Sequence, residues 1–454
     1  MEGRMAARVA LSAATYAIDK PYTYLVPEEL IPRLREGMRV MIPFGAGNRR
    51  AEGMVLSVGE LEDDPSKYKP ILTLLDEEPV LDREGLQLAM WMRERYFCTV
   101  YEAARAMLPA GLYFSLQDRY VIVPGITEEE AYEGAGRSEL AHSVLDLLYA
   151  GGGRGELGHI RTAFGSRDPG PALRRLSERG IIRLETSASR AVSDKQERVA
   201  VLAVPPEEAM AQVTPRRRSA PMRYAVMELL SALGEAAAKD ICYFTGATMA
   251  TLRSLVKSGL ITLEEREQLR RVDPGPVEPA GPVVLNEEQQ KAFDGLNALA
   301  GSGKAAASLL WGITGSGKTQ VYLKLIQATL DRGKSALALV PEIALTPQLL
   351  RLFASHFGDR VAVLHSSLRA GERYDEWKRI RSGAAKVVVG TRSAVFAPLA
   401  DLGLVILDEE QEGSYKSEQV PKYHAREVAK YRCAHHNALL VLGSATPSVE
   451  SMYQ

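Results

Sequence analysis

Gly312-Ile313-Thr314-Gly315-Ser316-Gly317-Lys318-Thr319 fits the spacing G-x-x-x-x-G-K-[ST]. Glycines at this spacing let backbone N–H groups turn inward around phosphate oxygens. A lysine at the seventh position reaches the β and γ phosphates, and the following hydroxyl suits Mg²⁺. A helix beginning at the lysine adds its positive end to the anion site. Some ninety residues later, "LVILDEEQ" (Leu404 to Gln411) ends an apolar run in carboxylates. Asp408 at such a strand end suits a Mg²⁺ contact, direct or through water, and Glu409 suits orienting or deprotonating an attacking water. Two further hydroxyl-rich segments follow apolar runs. Thr391, Arg392 and Ser393 of "VVVGTRSAVF" can donate to the phosphates of a nucleic-acid strand. Ser444 and Thr446 of "VLGSATP" can couple the nucleotide site to a moving neighbour.

These residues need strands that stop at one edge and helices that start there. "ASLLWG", "SALALVP", "VAVLH", "KVVVGT", "LGLVILDEE" and "ALLVLGSATP" are short, nearly continuous apolar runs. Amphipathic segments such as "KTQVYLKLIQATLDRG" alternate with them. That alternation predicts a parallel sheet covered on both faces, over residues 286–454.

Upstream the pattern differs. Residues 1–110 hold short runs such as "ARVAL", "YTYLVP" and "MRVMIPFG", broken by Pro and Gly, which predict a small β barrel or sandwich followed by a helix. The next stretch repeats itself. Val226 of "VMELL" follows Val144 of "VLDLL" by 82 residues, and Leu252 of "LRSLVKSGLITLE" follows Leu173 of "LRRLSERGIIRLE" by 79. Each copy has an opening helix, a middle segment, a helix ending in Gly and a β-prone strand. Winged-helix-like modules over 111–200 and 201–272 are expected. The proline-rich stretch 273–285 reads as a stiff linker.

Composition sets the remaining bounds. The chain has 454 residues, is 46% hydrophobic and carries a formal charge of −1. A polycationic nucleic-acid binder is excluded, although a local basic groove is not. Three separated cysteines, Cys98, Cys242 and Cys433, offer no disulfide framework and no zinc knot. The first twenty residues lack a secretory apolar core, and no run approaches the roughly 18 apolar residues of a membrane span, so a cytoplasmic location is expected.

The order "LNEEQ", "GITGSGKT", "VPEIALTPQ", "GTRSAVF", "DEEQ", "GSATP" resembles the first motor lobe of superfamily 2 DNA helicases. More narrowly, the chain resembles the replication-restart helicase family of bacteria (primosomal protein N′, PriA). "DEEQEGSYKSEQVPKYHAREVA" is similar to that family's aromatic-rich loop, and "YTYLVP…EGMRVMIPFG" to its 3′-end DNA-binding domain. The resemblance implies a multidomain chain in which a β-rich DNA-binding domain and winged-helix-like α+β modules precede a RecA-like α/β P-loop lobe. It implies ATP and Mg²⁺ as cofactors, with Thr319 and Asp408 at the metal. Gln289 would contact adenine, beside the cradle residues Gly312, Thr314, Gly315, Ser316, Gly317, Lys318 and Thr319. Pro341 to Gln348 and Thr391, Arg392 and Ser393 would track single-stranded DNA. Tyr415, Lys416, Tyr423, His424 and Arg426 would sense it, the aromatics by stacking. Tyr22, Tyr24, Gly37 and Lys69 would form the pocket for a nascent 3′ end.

Forked and single-stranded DNA, other primosome proteins, a helicase loader and a single-stranded-DNA-binding protein are the implied partners. Departures from the family are Gln411 in place of His, which should tune activity, and Thr23 in place of Asp, which removes a carboxylate from the 3′ pocket. The sequence stops after "GSATPSVES", so the second motor lobe with its arginine finger and the zinc-binding cysteines lie outside it. Two functions follow. One is an ATP-dependent 3′-to-5′ helicase of replication restart, represented by its DNA-binding half and first lobe. The other is a fork-DNA- and ATP-binding module with little turnover.

Overall fold

A computed structural model describes residues 4–453 apart from 46, 113, 166, 191–195, 268, 273 and 274. Five strands open the chain: β1 (Met5–Leu11), β2 (Tyr22–Leu25), β3 (Arg39–Phe44), β4 (Arg49–Glu60) and β5 (Thr73–Leu74). They pair in the order β2-β1-β4-β3-β5. The segment before β5 closes this sheet into the expected small barrel. Leu25 N–H donates to the Lys69 carbonyl (2.9 Å) and Ile71 N–H to the Leu25 carbonyl (3.0 Å). On the other side, Leu72 N–H donates to the Met41 carbonyl at 2.8 Å. Alternate residues Ala7, Val9, Leu11, Val40, Ile42 and Val55 fill the interior. Two helices follow, α1 (Arg83–Tyr96), capped by Asp82, and α2 (Val100–Ala106), with a reciprocal Thr99–Glu102 capping box.

The two modules share one plan, strand-helix-helix-strand-helix-helix-strand. The first is β6 (Phe114–Ile122), α3 (Glu128–Ala135), α4 (Glu139–Ala150), β7 (Arg154–Glu156), α5 (Leu157–Phe164), α6 (Gly170–Glu178) and β8 (Ile182–Arg190). The second is β9 (Gln196–Leu202), α7 (Pro206–Val213), α8 (Pro221–Leu233), β10 (Glu235–Ala237), α9 (Ala238–Thr245), α10 (Met249–Lys257) and β11 (Ile261–Glu267). Sheet orders correspond, β7-β6-β8 and β10-β9-β11. Each copy therefore opens on a central strand, two elements earlier than the helix from which the sequence echo was read.

The remaining elements are α11 (Glu287–Gly301), β12 (Ala306–Trp311), α12 (Lys318–Asp331), β13 (Ser335–Leu339), α13 (Pro347–Phe357), β14 (Val361–Leu364), α14 (Ala370–Arg381), β15 (Val387–Gly390), β16 (Leu402–Leu407), α15 (Ala425–His436), β17 (Leu439–Ser444) and α16 (Val449–Tyr453). Their six strands pair all parallel, in the order β12-β17-β16-β13-β15-β14. The runs are apolar throughout because helices cover both faces. One core cluster is shared between this lobe and the N-terminal helices: Leu88, Ala89 and Met92 of α1 belong with Trp377, Phe396, Val428 and Cys433. No helix among the described residues is long and apolar enough to cross a membrane.

Candidate nucleotide and nucleic-acid sites

Parallel strands place all their C-terminal ends at one edge, where ligands bind in open α/β sheets. The order β12-β17-β16 sets three of the sequence motifs side by side. Gly312 N–H donates to the Ser444 carbonyl (3.1 Å), and the Trp311 indole N–H to the Ala445 carbonyl (3.2 Å). The phosphate loop is thereby tied to the GSATP segment. Gly315 and Gly317 both sit at φ +82, the left-handed conformation that aims successive N–H groups to one side. A side chain on Gly317 would also collide with the Gln289 amide. Gln289 props the loop by donating to the Ser316 carbonyl (2.9 Å) while its Oε1 accepts from Asn286 N–H (3.0 Å). Lys318 opens α12, and its Nζ donates back across the loop to the Gly312 carbonyl at 2.7 Å. Thr314 and Gly315 form the exposed crest.

Asp408 sits just past β16, and its Oδ1 accepts from the Tyr322 hydroxyl at 2.8 Å. Burial raises the carboxyl's pKa, and this hydrogen bond opposes the rise. A side chain at Gly443 would collide with that same hydroxyl. Tyr322, which the sequence did not single out, thus orients the carboxylate. Tyr322→Phe keeps the ring and deletes the bond. Mg²⁺-dependent binding of a fluorescent ATP analogue should weaken roughly three- to tenfold in that variant, since one such hydrogen bond is worth about 1 kcal/mol. An unchanged Mg²⁺ titration would refute the assignment.

Glu409 lies at φ +47, an uncommon conformation for a residue with a side chain. Gln411 donates from Nε2 to Glu409 Oε2 (2.8 Å) and accepts at Oε1 from the Ser444 hydroxyl (2.5 Å). Ser444 Oγ in turn accepts from Thr446 N–H at 3.0 Å. This chain of bonds would carry a shift of the GSATP segment to Glu409. Glu410 was not singled out from the sequence. It is buried and accepts from Ser448 N–H (2.7 Å), the Ser451 hydroxyl (2.8 Å) and Arg426 Nη1 (3.0 Å). Burial alone would raise its carboxyl, but these bonds together lower it. The one sequence signal was a third carboxylate facing a serine-rich "SVES".

The ligand types fit the implied cofactors. The loop presents N–H groups and a lysine to phosphate, and Thr319 with Asp408 presents hard oxygen donors of the kind Mg²⁺ takes alongside phosphates and water. The expected DNA contacts need correction. Tyr415 is 1% exposed, with its hydroxyl within reach of the carbonyls of Leu339 (3.1 Å) and Asp408 (2.6 Å). Tyr423 is 5% exposed and packs on Phe396 with ring centroids 4.8 Å apart. Neither offers a face to a base. Thr391 is buried, and Arg392 turns inward to the carbonyls of Ser414 (3.1 Å) and Lys416 (2.7 Å). Arg426 is held by Glu410, and His424 Nδ1 accepts from Arg426 N–H at 3.2 Å. Ser393 and Lys416 are exposed. Tyr415, Arg392 and Arg426 bond to partners within the fold, which sequence cannot distinguish from solvent-facing ones.

On the barrel, Tyr22, Thr23, Tyr24, Phe44 and Lys69 line a cavity of about 460 Å³. Among the described residues, none that line it is acidic. Tyr22 meets Phe44 edge to face at 5.7 Å, and Lys69 Nζ donates to the Gly45 carbonyl at 2.7 Å. Gly37 lies elsewhere. It turns at φ +78 beneath the Leu81 carbonyl, where any side chain would clash.

A strand-end phosphate loop beside an acidic strand end, on a chain that also carries a β barrel with a basic, aromatic cavity, defines a P-loop lobe fused to a nucleic-acid-binding module. Residues 8–109 match the family described as the 3′DNA-binding domain of PriA (3′BD), and residues 286–454 match the DEAD/DEAH box helicases. The chain is 35% identical to replication restart protein PriA of Bacillus subtilis over 452 residues, 98% of this chain and 54% of that protein. The Synechocystis protein of the same name is 34% identical over 460 residues, 97% of this chain and 52% of that protein. The Treponema pallidum protein of that name is 54% identical over 170 residues, 37% of this chain and 25% of that one. The resemblance read from the motifs therefore stands. The chain spans about half the length of the first two relatives.

Proposed function

We propose that this chain is the DNA-binding half and first motor lobe of an ATP-dependent 3′-to-5′ DNA helicase that recognises stalled forks and starts primosome assembly in replication restart. The observation that carries the reading is the side-by-side placement of Gly312–Thr319, Asp408–Gln411 and Ser444–Thr446 at the C-terminal ends of β12, β16 and β17, in one chain with a match to the 3′DNA-binding domain. Lys318 and the loop amides hold phosphate oxygens, and Asp408, oriented by Tyr322, holds the metal side. Glu409 takes a proton from, or orients, the attacking water, and Gln411 relays the position of the GSATP segment. When bound, ATP with Mg²⁺ supplies the free energy of phosphoryl transfer. Tyr22, Tyr24 and Lys69 receive a 3′ terminus, and Ser393 and Lys416 contact the strand. Primosome proteins, a helicase loader and a single-stranded-DNA-binding protein are its proposed partners in the cytoplasm. Binding to forks that end in a 3′ hydroxyl, compared with a 3′ phosphate, tests the reading. Equal affinity for the two would count against the 3′ pocket.

A second reading concerns turnover. Trp311, just before the phosphate loop, and Ile313, within it, are 66% and 75% exposed. They mark an open face against which a second lobe would close, bringing charge to the developing transition state. A polypeptide of these 454 residues is therefore expected to bind forks and ATP but to hydrolyse ATP at or near background, measured by phosphate release with and without DNA. DNA-stimulated turnover like that of a complete helicase would overturn this.

A further inference from the structure

The second module carries a surface that neither the phosphate loop nor the 3′ pocket uses. Ile160 of α5 and Ile241 of α9 are equivalent in the two modules, and both are fully buried. The residues that come next but one differ. α5 has Thr162 and Ala163, whereas α9 has Tyr243 and Phe244, which are 84% and 74% exposed. Their rings meet edge to face at 5.3 Å. The fold does not require these aromatics, because the first module builds the same helix without them. Large exposed aromatics that packing does not demand mark a contact surface.

The neighbouring stretch has diverged in the same direction. Residues 214–224 read "TPRRRSAPMRY", with Arg216, Arg217, Arg218 and Arg223 and no carboxylate. The equivalent stretch 82 residues earlier, 132–142, reads "YEGAGRSELAH", with two glutamates and one arginine. Arg216, Arg217 and Arg218 are exposed. Arg217 lies over the Tyr224 ring at 4.6 Å, and Arg216 and Arg223 line a cavity of about 410 Å³. The start of α8, which carries Arg223, lies beside the end of α9. The Met222 sulfur, in the first turn of α8, is 3.6 Å from where a side chain on Gly246, just past α9, would begin.

We infer that this face of the second module is a binding surface for single-stranded DNA, separate from the 3′ pocket. Bases stack on Tyr243 and Phe244, and the arginines take the phosphates, the pairing of chemistries that binds single strands without reading sequence. The inference rests on the DNA-binding reading above. Its test exchanges the module's own equivalents, Tyr243→Thr with Phe244→Ala, in the full 454-residue chain. The probe is fluorescein-labelled oligo(dT) blocked by a 3′ phosphate, read by anisotropy, with forks ending in a 3′ hydroxyl or phosphate in parallel. Expected is a loss of at least about tenfold on blocked oligo(dT), with an unchanged ratio between the two forks and an unchanged melting temperature. Unchanged affinity for oligo(dT) would overturn the inference and leave this face to a protein partner, while the fork result would still stand. A wild-type chain that binds neither probe would overturn the DNA-binding reading itself, and this inference with it.

Discussion

Lys318→Ala is expected to abolish ATP binding while leaving fork binding intact. Lys318 opens α12, and its ammonium already reaches across the loop to the Gly312 carbonyl at 2.7 Å. It needs only a small swing to exchange that carbonyl for phosphate oxygens. Charge-assisted contacts of this kind are worth about 1.5–3 kcal/mol each, so losing two of them weakens nucleotide binding at least about a hundredfold. The cost to the fold is small, because the lysine head sits at a half-exposed rim where water can take over the Gly312 carbonyl. The cavity of Tyr22 and Lys69 belongs to the barrel, a separate core from the phosphate loop. A fluorescent ATP analogue and a labelled fork, titrated against wild type and variant, check both halves. Equal loss of the two affinities would show that the modules do not act separately.

The chemistry of the nucleotide site was legible because phosphate and Mg²⁺ demand particular residue types at fixed spacing. The bonds that make it a unit were not. Gln411 meets Ser444 only because β17 inserts between β12 and β16, a strand order that periodicity does not encode. The module repeat was visible through its amphipathic helices, whose buried positions Val144, Leu173, Val226 and Leu252 must stay apolar. Its central strands were missed because β6 and β9 share position rather than pattern. Tyr415 and Tyr423 were expected to be stacking platforms because the resemblance sets them in the family's aromatic-rich loop. A tyrosine whose hydroxyl finds a buried carbonyl has the same letter as one that faces a base, and in this fold both rings point inward.

Least legible of all was the contact between barrel and lobe, which joins residues 348 apart in sequence. Glu84, in the first turn of α1, accepts from Arg432 Nε (2.7 Å) and Nη2 (3.2 Å), and lies 2.9 Å from His436 Nε2. Arg432 also donates to the carbonyls of Val395 (2.8 Å) and Ala397 (2.9 Å), and both partners are buried. Glu84→Ala leaves that guanidinium without a counter-charge. Breaking one side of a buried pair costs about 3–5 kcal/mol, most of it the stranded charge rather than the lost attraction. Adding Arg432→Met to the variant should therefore recover much of the loss, which a merely poor fit of alanine would not allow. Burial alone would raise the Glu84 carboxyl, but the His436 hydrogen bond and the Arg432 charge outweigh it and hold the pKa down to about 2. Because the folded value lies below the unfolded one of about 4.3, the contribution is complete above that pH. It is lost as pH falls from there toward about 2. Urea midpoints at neutral pH and near pH 3 should thus differ more for wild type than for Glu84→Ala. A single variant that loses under about 1 kcal/mol would mean that this pair does not hold the barrel to the lobe.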